Sequence, residues 1–218
     1  MNFTSGRLSK SGFTLIALLV IIAVLTVLAA MLLPALASAK KKSSKIGCVN
    51  NLKQCCLAFR IWEGDNDDKM PMAVPMEKGG PMEYVTGADT FRHFQVMSNE
   101  LSTPKILVCP DDTRTAADNF VRLKNQNVSY FVGLDAKDEF PQRFLVGDRN
   151  LTGPSTPENG ILKLAPSDAV SWTSAIHVNQ GNIGLADGSV HSFSNYQLRQ
   201  ALKNSGDPTN IWRISLPE

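Results

Sequence analysis

The chain has 218 residues, 43% hydrophobic and 19% charged, with a formal net charge of +2. That balance hides a segregation: residues 1–45 hold six Lys/Arg and no Asp/Glu, whereas residues 46–218 hold sixteen Lys/Arg against twenty acids. The +2 is therefore +6 from the N-terminal part and −4 from the rest, so the basic balance is no sign of nucleic-acid binding, whose footprint is a basic patch on the folded domain, and no nucleic-acid partner is expected.

Between Phe13 and Ala39 no residue is charged. The run exceeds the ~20 residues that a helix needs to cross a hydrocarbon core of about 30 Å. It is also too long for the apolar part of a secretory signal, which covers about 7–15 residues and ends in a small-residue cleavage site. Pro34 removes a backbone donor inside the run and clashes one turn back, so a helix kink is expected there. Lys40, Lys41, Lys42 and Lys45 fit the headgroup layer at the end of a span. Beyond them Ile46, Val49, Leu52, Cys56 and Phe59 recur at spacings of three and four, an amphipathic stripe, and Gly64 is a good terminator. The pattern predicts one helix from Phe13 to about Glu63, roughly 75 Å long at 1.5 Å per residue. Residues 13–39 are its transmembrane half and 40–64 its amphipathic half.

Residues 65–218 are enough for one domain with its own core. Asp65-Asn66-Asp67-Asp68 lacks the twelve-residue spacing and terminal glutamate of an EF-hand, so it reads as a solvated helix-end loop. Pro71, Pro75, Gly79, Gly80 and Pro81 mark a loop-rich connection. Asp89 is placed to cap a short helix with Phe91, Phe94 and Leu101 on one side. Ile106–Val108, Val128–Val132 and Phe144–Val146 are predicted strands. Within Asn182–Phe193, Asp187-Gly188 separates two short apolar runs and predicts a hairpin whose turn needs positive φ. Tyr196–Leu202 reads as a short helix ended near Gly206, and Ile211–Leu216 as a final strand. The expected class is α+β.

Ser11-Gly12-Phe13-Thr14-Leu15-Ile16, with Arg7 and Lys10 before it and Pro34 within the apolar core after it, resembles the N-terminus of type IV prepilins and of the pseudopilins of type II secretion. The resemblance implies a leader, residues 1–12, cut between Gly12 and Phe13 by a prepilin peptidase that also N-methylates Phe13. It implies a pilin-like fold: a long N-terminal transmembrane helix packed on a small mixed, mainly antiparallel sheet. It further implies a single-pass protein of the bacterial inner membrane, with residues 65–218 as an extracytoplasmic head in the periplasm or on the cell surface. The implied partners are the peptidase/N-methyltransferase, other pilin-like subunits and an inner-membrane assembly platform. Positive-inside counting, by contrast, sets Arg7, Lys10 and the initial amine against four lysines beyond the span and slightly favours a cytoplasmic C-terminal part.

One position departs from the family. Where it usually has a glutamate, this chain has Ala17. An acid there is costly in lipid and is tolerated because it pairs with the terminal amine of a neighbouring subunit. Ala17 cannot make that pair, and both a tip-located subunit and one that assembles poorly fit the change. A second resemblance lies at the other end: His177 stands ten residues before Asp187-Gly188, similar to the His-x9-Asp-Gly signature of a large prepilin-like family. Leu107-Val108-Cys109-Pro110-Asp111 and Ser129–Ala136 also look like that family.

Candidates for chemistry are His93, His177, His191, Asp187, Ser189 and the cysteines. His177, Asp187 and His191 can meet around one hairpin, and two imidazoles with a carboxylate can hold zinc. No His-x3-His pair, Glu-bearing zinc helix or nucleophile elbow accompanies them, and the turn itself calls for Asp187. The expectation is no catalytic residue, no metal and no cofactor, with His177, Asp187 and Gly188 as signature residues of unassigned role. Cys48 and Cys55 would lie about 10 Å apart along a helix, beyond the ~7 Å reach of a disulfide. A bridge between adjacent Cys55 and Cys56 would be strained, so only Cys109 can staple the helix, to a single partner. Cys55 or Cys56 reads as a buried small residue of the stripe. The function expected is a structural prepilin-like subunit of a pseudopilus or pilus-like filament, not an enzyme. The alternative is a membrane-tethered surface binding module that uses the same export signal and never polymerises.

Overall fold

The computed structural model describes residues 14–204 and 212–217, and the chain divides after Lys42 into two units. Gly12 and Phe13 lie outside the described residues, as do Gly206 and Ile211. Helix α1 runs from Leu15 to Gly64 and contains Pro34. Thr14 starts it: its hydroxyl accepts from Ala17 N at 3.3 Å, satisfying one of the orphan donors of a first turn.

In the first unit none of the described helix residues is buried. An 18-residue window reaches a mean hydropathy of 3.2 with 0% buried, and Leu15, Leu25, Leu32 and Leu36 are all more than half exposed. A helix this long and this apolar is able to cross a membrane.

In the second unit α1 becomes part of a core. Cys48, Leu52, Cys55, Cys56, Ala58, Phe59 and Trp62 are buried, at the three- and four-residue spacings of one helix face. The face is turned relative to the expected stripe, because Ile46 is 53% exposed and Cys48 takes the first inward position. The helix stops at Gly64, after which Asp67 and Asp68 adopt φ of 56° and 54°.

Among the described residues eight strands follow: β1 (Tyr130–Gly133), β2 (Phe144–Asp148), β3 (Leu151–Thr152), β4 (Ile161–Leu164), β5 (Ser171–Trp172), β6 (Gln180–Leu185), β7 (Val190–Ser194) and β8 (Trp212–Ser215). Six form one sheet in the order β4-β8-β1-β2-β6-β7, with every pairing antiparallel. β3 and β5 pair separately. The class is α+β with a mainly antiparallel sheet, as expected.

Alternation along the strands divides the core in two. Tyr130 and Val132 join the helix residues in one cluster. Phe131 joins Leu162, Leu164, Ile183 and Trp212 in the other, where helix α4 (Asn195–Lys203) contributes Leu198 and Leu202. A bulge between Phe144 and Val146 interrupts the alternation, so that Leu145 and Val146 both face the helix side while Phe144 faces the other. Phe59 of α1 meets Phe94 edge-on at 6.1 Å.

Two local expectations are corrected. Ile106–Val108 is not a strand; Pro104–Leu107 forms a 3-10 turn, with Pro104 at its first position and Thr103 accepting from Lys105 N. Asp89 caps nothing: Phe91–Gln95 (α2) and Ser98–Leu101 (α3) are two separate helices, and Phe91 N instead donates to Asn125 Oδ1 at 3.2 Å. Thr90, immediately before α2, directs its hydroxyl to Ser215 Oγ at 2.7 Å. Strands β3, β4 and β5 were not anticipated, since two are only two residues long and leave no periodicity to read.

Candidate functional site

Two of the cysteines, Cys48 and Cys109, converge on a carboxylate and an imidazole. They meet Asp148 and His177 in a buried group whose donor atoms all lie within 4.8 Å of one another. Four segments supply them. Cys48 comes from the inward face of α1 and Asp148 from the end of β2. Cys109 follows the turn Pro104–Leu107, and His177 lies in the loop before β6.

Contacts inside the group are close. Cys48 Sγ donates to Asp148 Oδ1 at 3.0 Å, Cys109 Sγ lies 3.3 Å from His177 Nε2, and His177 Nε2 lies 3.6 Å from Asp148 Oδ2. A second ring of groups fixes these atoms. Asp148 Oδ2 accepts from Asn182 N at 2.7 Å and from Asn182 Nδ2 at 3.0 Å. Asp111 Oδ2 accepts from His177 N at 2.9 Å and lies 3.3 Å from His177 Nδ1. Tyr130 Oη is 3.6 Å from Cys48 Sγ.

The loop carrying His177 is held in an unusual shape. His177, Val178 and Asn179 have φ of 53°, 48° and 58°, a left-handed run that costs energy for residues with a β-carbon. Asn150 fastens it by donating to Thr173 O and Ile176 O, both at 2.9 Å. On the other side Asp112 takes a bidentate pair from Arg149, with both bonds 2.8 Å. Cys109-Pro110-Asp111-Asp112 thus delivers one sulfur to the group, one carboxylate to the backbone and ring of His177, and one carboxylate to Arg149.

Burial decides the electrostatics. It raises Asp148 to about 7, with the charge of Cys109 acting in the same direction, against His177, the Cys48 thiol and Asn182 N. Burial also pushes the Cys48 thiol up and Tyr130 well above its usual range. Cys109 moves the other way, to about 6, through hydrogen bonding with Cys48 and then with His177. Cys48 has a single thiol proton, so it serves Asp148 or Cys109 and not both at once. Burial opposes charge on His177, yet its bond to Cys109 and the charges of Asp148, Cys109 and Asp111 outweigh that and raise it.

Two thiols, an imidazole and a carboxylate suit a borderline-soft divalent ion, and two adjacent thiols can also be oxidised. As a nucleophile the group is poorly placed: Cys48, Cys109 and Asp148 are each 0% exposed, and a buried cysteine without access is inert toward substrates.

The sequence reading brought His177 to Asp187 and His191; the structure does not. Strand β6 runs between them, and at about 3.3 Å per residue its six residues set the two ends roughly 20 Å apart along the strand. At the far end Asp187 Oδ1 accepts from Ser189 N at 2.8 Å and Gly188 has φ of 85°, so both serve the turn. His191 is exposed, with Nε2 3.0 Å from Ser189 Oγ and its ring stacked on Phe193. His93 is fully buried, and neither ring nitrogen has a hydrogen-bond partner. All four cysteines are free and buried; Cys55 and Cys56 lie in the helix-side core.

Sequence reasoning missed Cys48, Asp148, Asp111 and Asn182 as members of one site. A signal for Asp148 was present: an acid closing the otherwise apolar run Phe144-Leu145-Val146-Gly147 needs a buried partner. Comparison of the chain with protein-family models, curated proteins and solved structures finds no match.

Proposed function

We propose that the chain is a prepilin-like structural subunit of a type II secretion pseudopilus or a type IV pilus-like filament. A peptidase of the inner membrane removes residues 1–12 and N-methylates Phe13, and the second unit is extracytoplasmic. The observation that carries this reading is the composition of α1. One helix holds an apolar window of mean hydropathy 3.2 with no buried residue and then, beyond Lys45, the buried face of an α+β core. Directly before it stand Ser11-Gly12-Phe13. Such a helix rests in lipid as a monomer and packs with equivalent helices on assembly, since the apolar surface needs one cover or the other.

The test is the mass and first residue of the chain extracted from its native membrane. N-methyl-Phe13 is the expected terminus. An intact Met1 beside a working peptidase would reject processing and leave a plain signal anchor. Ala17 favours a second reading, the tethered binding module that does not polymerise, because the acid that pairs subunits is missing. Cross-linking of membrane fractions separates the two: a filament subunit gives a ladder and a tethered module does not.

A further inference from the structure

We propose that Cys48, Cys109, Asp148 and His177 bind one zinc-class divalent cation, which pins the second half of α1 to the sheet. The site is independent of filament assembly and departs from the sequence expectation of no metal.

The geometry is that of a ligand set. Zinc takes sulfur at about 2.3 Å and nitrogen or oxygen at about 2.0–2.2 Å in a tetrahedron, whose edges are then roughly 3.3–3.8 Å. Two edges of such a set are recorded here, Cys48 Sγ to Asp148 Oδ1 at 3.0 Å and Cys109 Sγ to His177 Nε2 at 3.3 Å, and the four residues offer one ligand atom each within 4.8 Å of one another. One ion placed among them would therefore need movements of only a few tenths of an ångström along those two edges, with the remaining donors drawn in from at most 4.8 Å.

Donor chemistry narrows the ion. Calcium and magnesium want six or more oxygens or several waters, whereas this set has one carboxylate, one imidazole and two sulfurs. Four protein ligands leave no open position, which marks a structural site and not a catalytic one. The ion would also resolve an awkward burial. Asp148 is fully buried and His177 nearly so, and a shared cation offsets a cost that the residues alone meet only by exchanging protons.

The surrounding groups are those that metal ligands require. A ligating histidine donates its other ring N–H to a carboxylate or carbonyl, which fixes the tautomer; here Asp111 stands at Nδ1, leaving Nε2 for the ion. A ligating carboxylate is itself hydrogen-bonded; Asn182 holds Oδ2 twice, leaving Oδ1 beside Cys48. A disulfide between Cys48 and Cys109 would account for the sulfurs but for neither Asp148 nor His177 nor their supports.

The experiment uses the full chain in detergent, purified without chelators, with metal content measured by elemental mass spectrometry. One equivalent of zinc per chain is expected. After chelation, cobalt(II) alone should restore thiolate-to-metal charge-transfer absorption and the intense d–d bands of a tetrahedral site. Both signals should disappear in Cys109→Ser and His177→Ala and persist in Cys55→Ala, whose thiol lies outside the group. Asp111→Asn should weaken zinc binding by about 10–100-fold without abolishing it. The cobalt spectrum is read on the unaltered chain, so a variant that fails to fold does not blunt the test. A folded chain that takes up neither zinc nor cobalt(II) with its thiols reduced would overturn the assignment. So would a chain lighter by two hydrogens whose peptide map joins Cys48 to Cys109, which would make the pair a disulfide.

Discussion

Gly184 of β6 and Cys56 of α1 approach so closely that a β-carbon on Gly184 would come within 2.2 Å of Cys56 Sγ. The helix is thereby seated against the sheet where the strand has no side chain to hold it off. About two turns earlier in α1, Cys48 reaches Asp148 on the neighbouring strand β2. The depth set by the glycine and the reach of the thiol belong to one packing solution: a helix held further out would pull Cys48 away from Asp148.

That relationship predicts a coupled pair. Gly184→Ala should destabilise the chain by about 1–3 kcal/mol through overpacking, since Val146 Cγ1 already stands 3.1 Å from the new carbon. Combining it with Cys56→Ala removes the sulfur and should recover part of the loss, giving a coupling of about 1 kcal/mol in denaturant midpoints. Strict additivity would mean that α1 shifts freely on the sheet.

His93 predicts an acid-sensitive step. Burial alone lowers it from 6.5 to about 4, so as pH falls the unfolded chain takes up the proton before the folded one. Stability from this group is complete above about pH 6.5 and drains toward pH 4, a loss on the order of 3 kcal/mol. His93→Leu should flatten that limb in a stability profile and, by removing ring nitrogens that have no partner, raise stability at neutral pH by about 1 kcal/mol. Identical acid limbs in the two chains would show that His93 is charged or solvated in the fold.

How far the residues announce this structure depends on the range of the interaction. The α1 pattern, the Asp187-Gly188 hairpin and α4 are local, resting on periodicity and turn chemistry within a few positions, and each was readable. The group around His177 is not local: Cys48 and Asp148 stand 100 positions apart and Cys109 and His177 stand 68 apart. Spacing also misled, because ten residues from His177 to Asp187 invite a shared site when they in fact span a strand. Ile106–Val108 shows the same limit on a small scale, where an apolar run after Pro104 packs as a turn.

The two ends of the His-x9-Asp-Gly signature should therefore respond differently to substitution. Asp187→Ala loses one turn hydrogen bond, about 1 kcal/mol, and Gly188→Ala forces a β-carbon into a left-handed position, about 1–2 kcal/mol. Neither should open the buried cysteines, so maleimide labelling of Cys48 and Cys109 in the folded chain should stay slow. His177→Ala removes the ring covering Cys109 and should speed labelling there by at least tenfold. Equal labelling in all three variants would return His177 to a purely local role.

Ala17→Glu tests assembly through the energy of one carboxylate. An acid inside a spanning helix costs about 2.5–3.5 kcal/mol at the helix centre, less toward the ends, and a lone subunit in lipid has nothing with which to offset it. In a filament the terminal amine of a neighbouring processed subunit can pair with it, so the substitution penalises the monomer and favours the assembled state. The fraction of chain in sheared or cross-linked filaments should rise, while Ala17→Gln, of similar size without the charge, should leave it unchanged. A fraction that does not move with glutamate would mean that the missing pair does not limit assembly, and the tethered binding module would then be the better account of the chain.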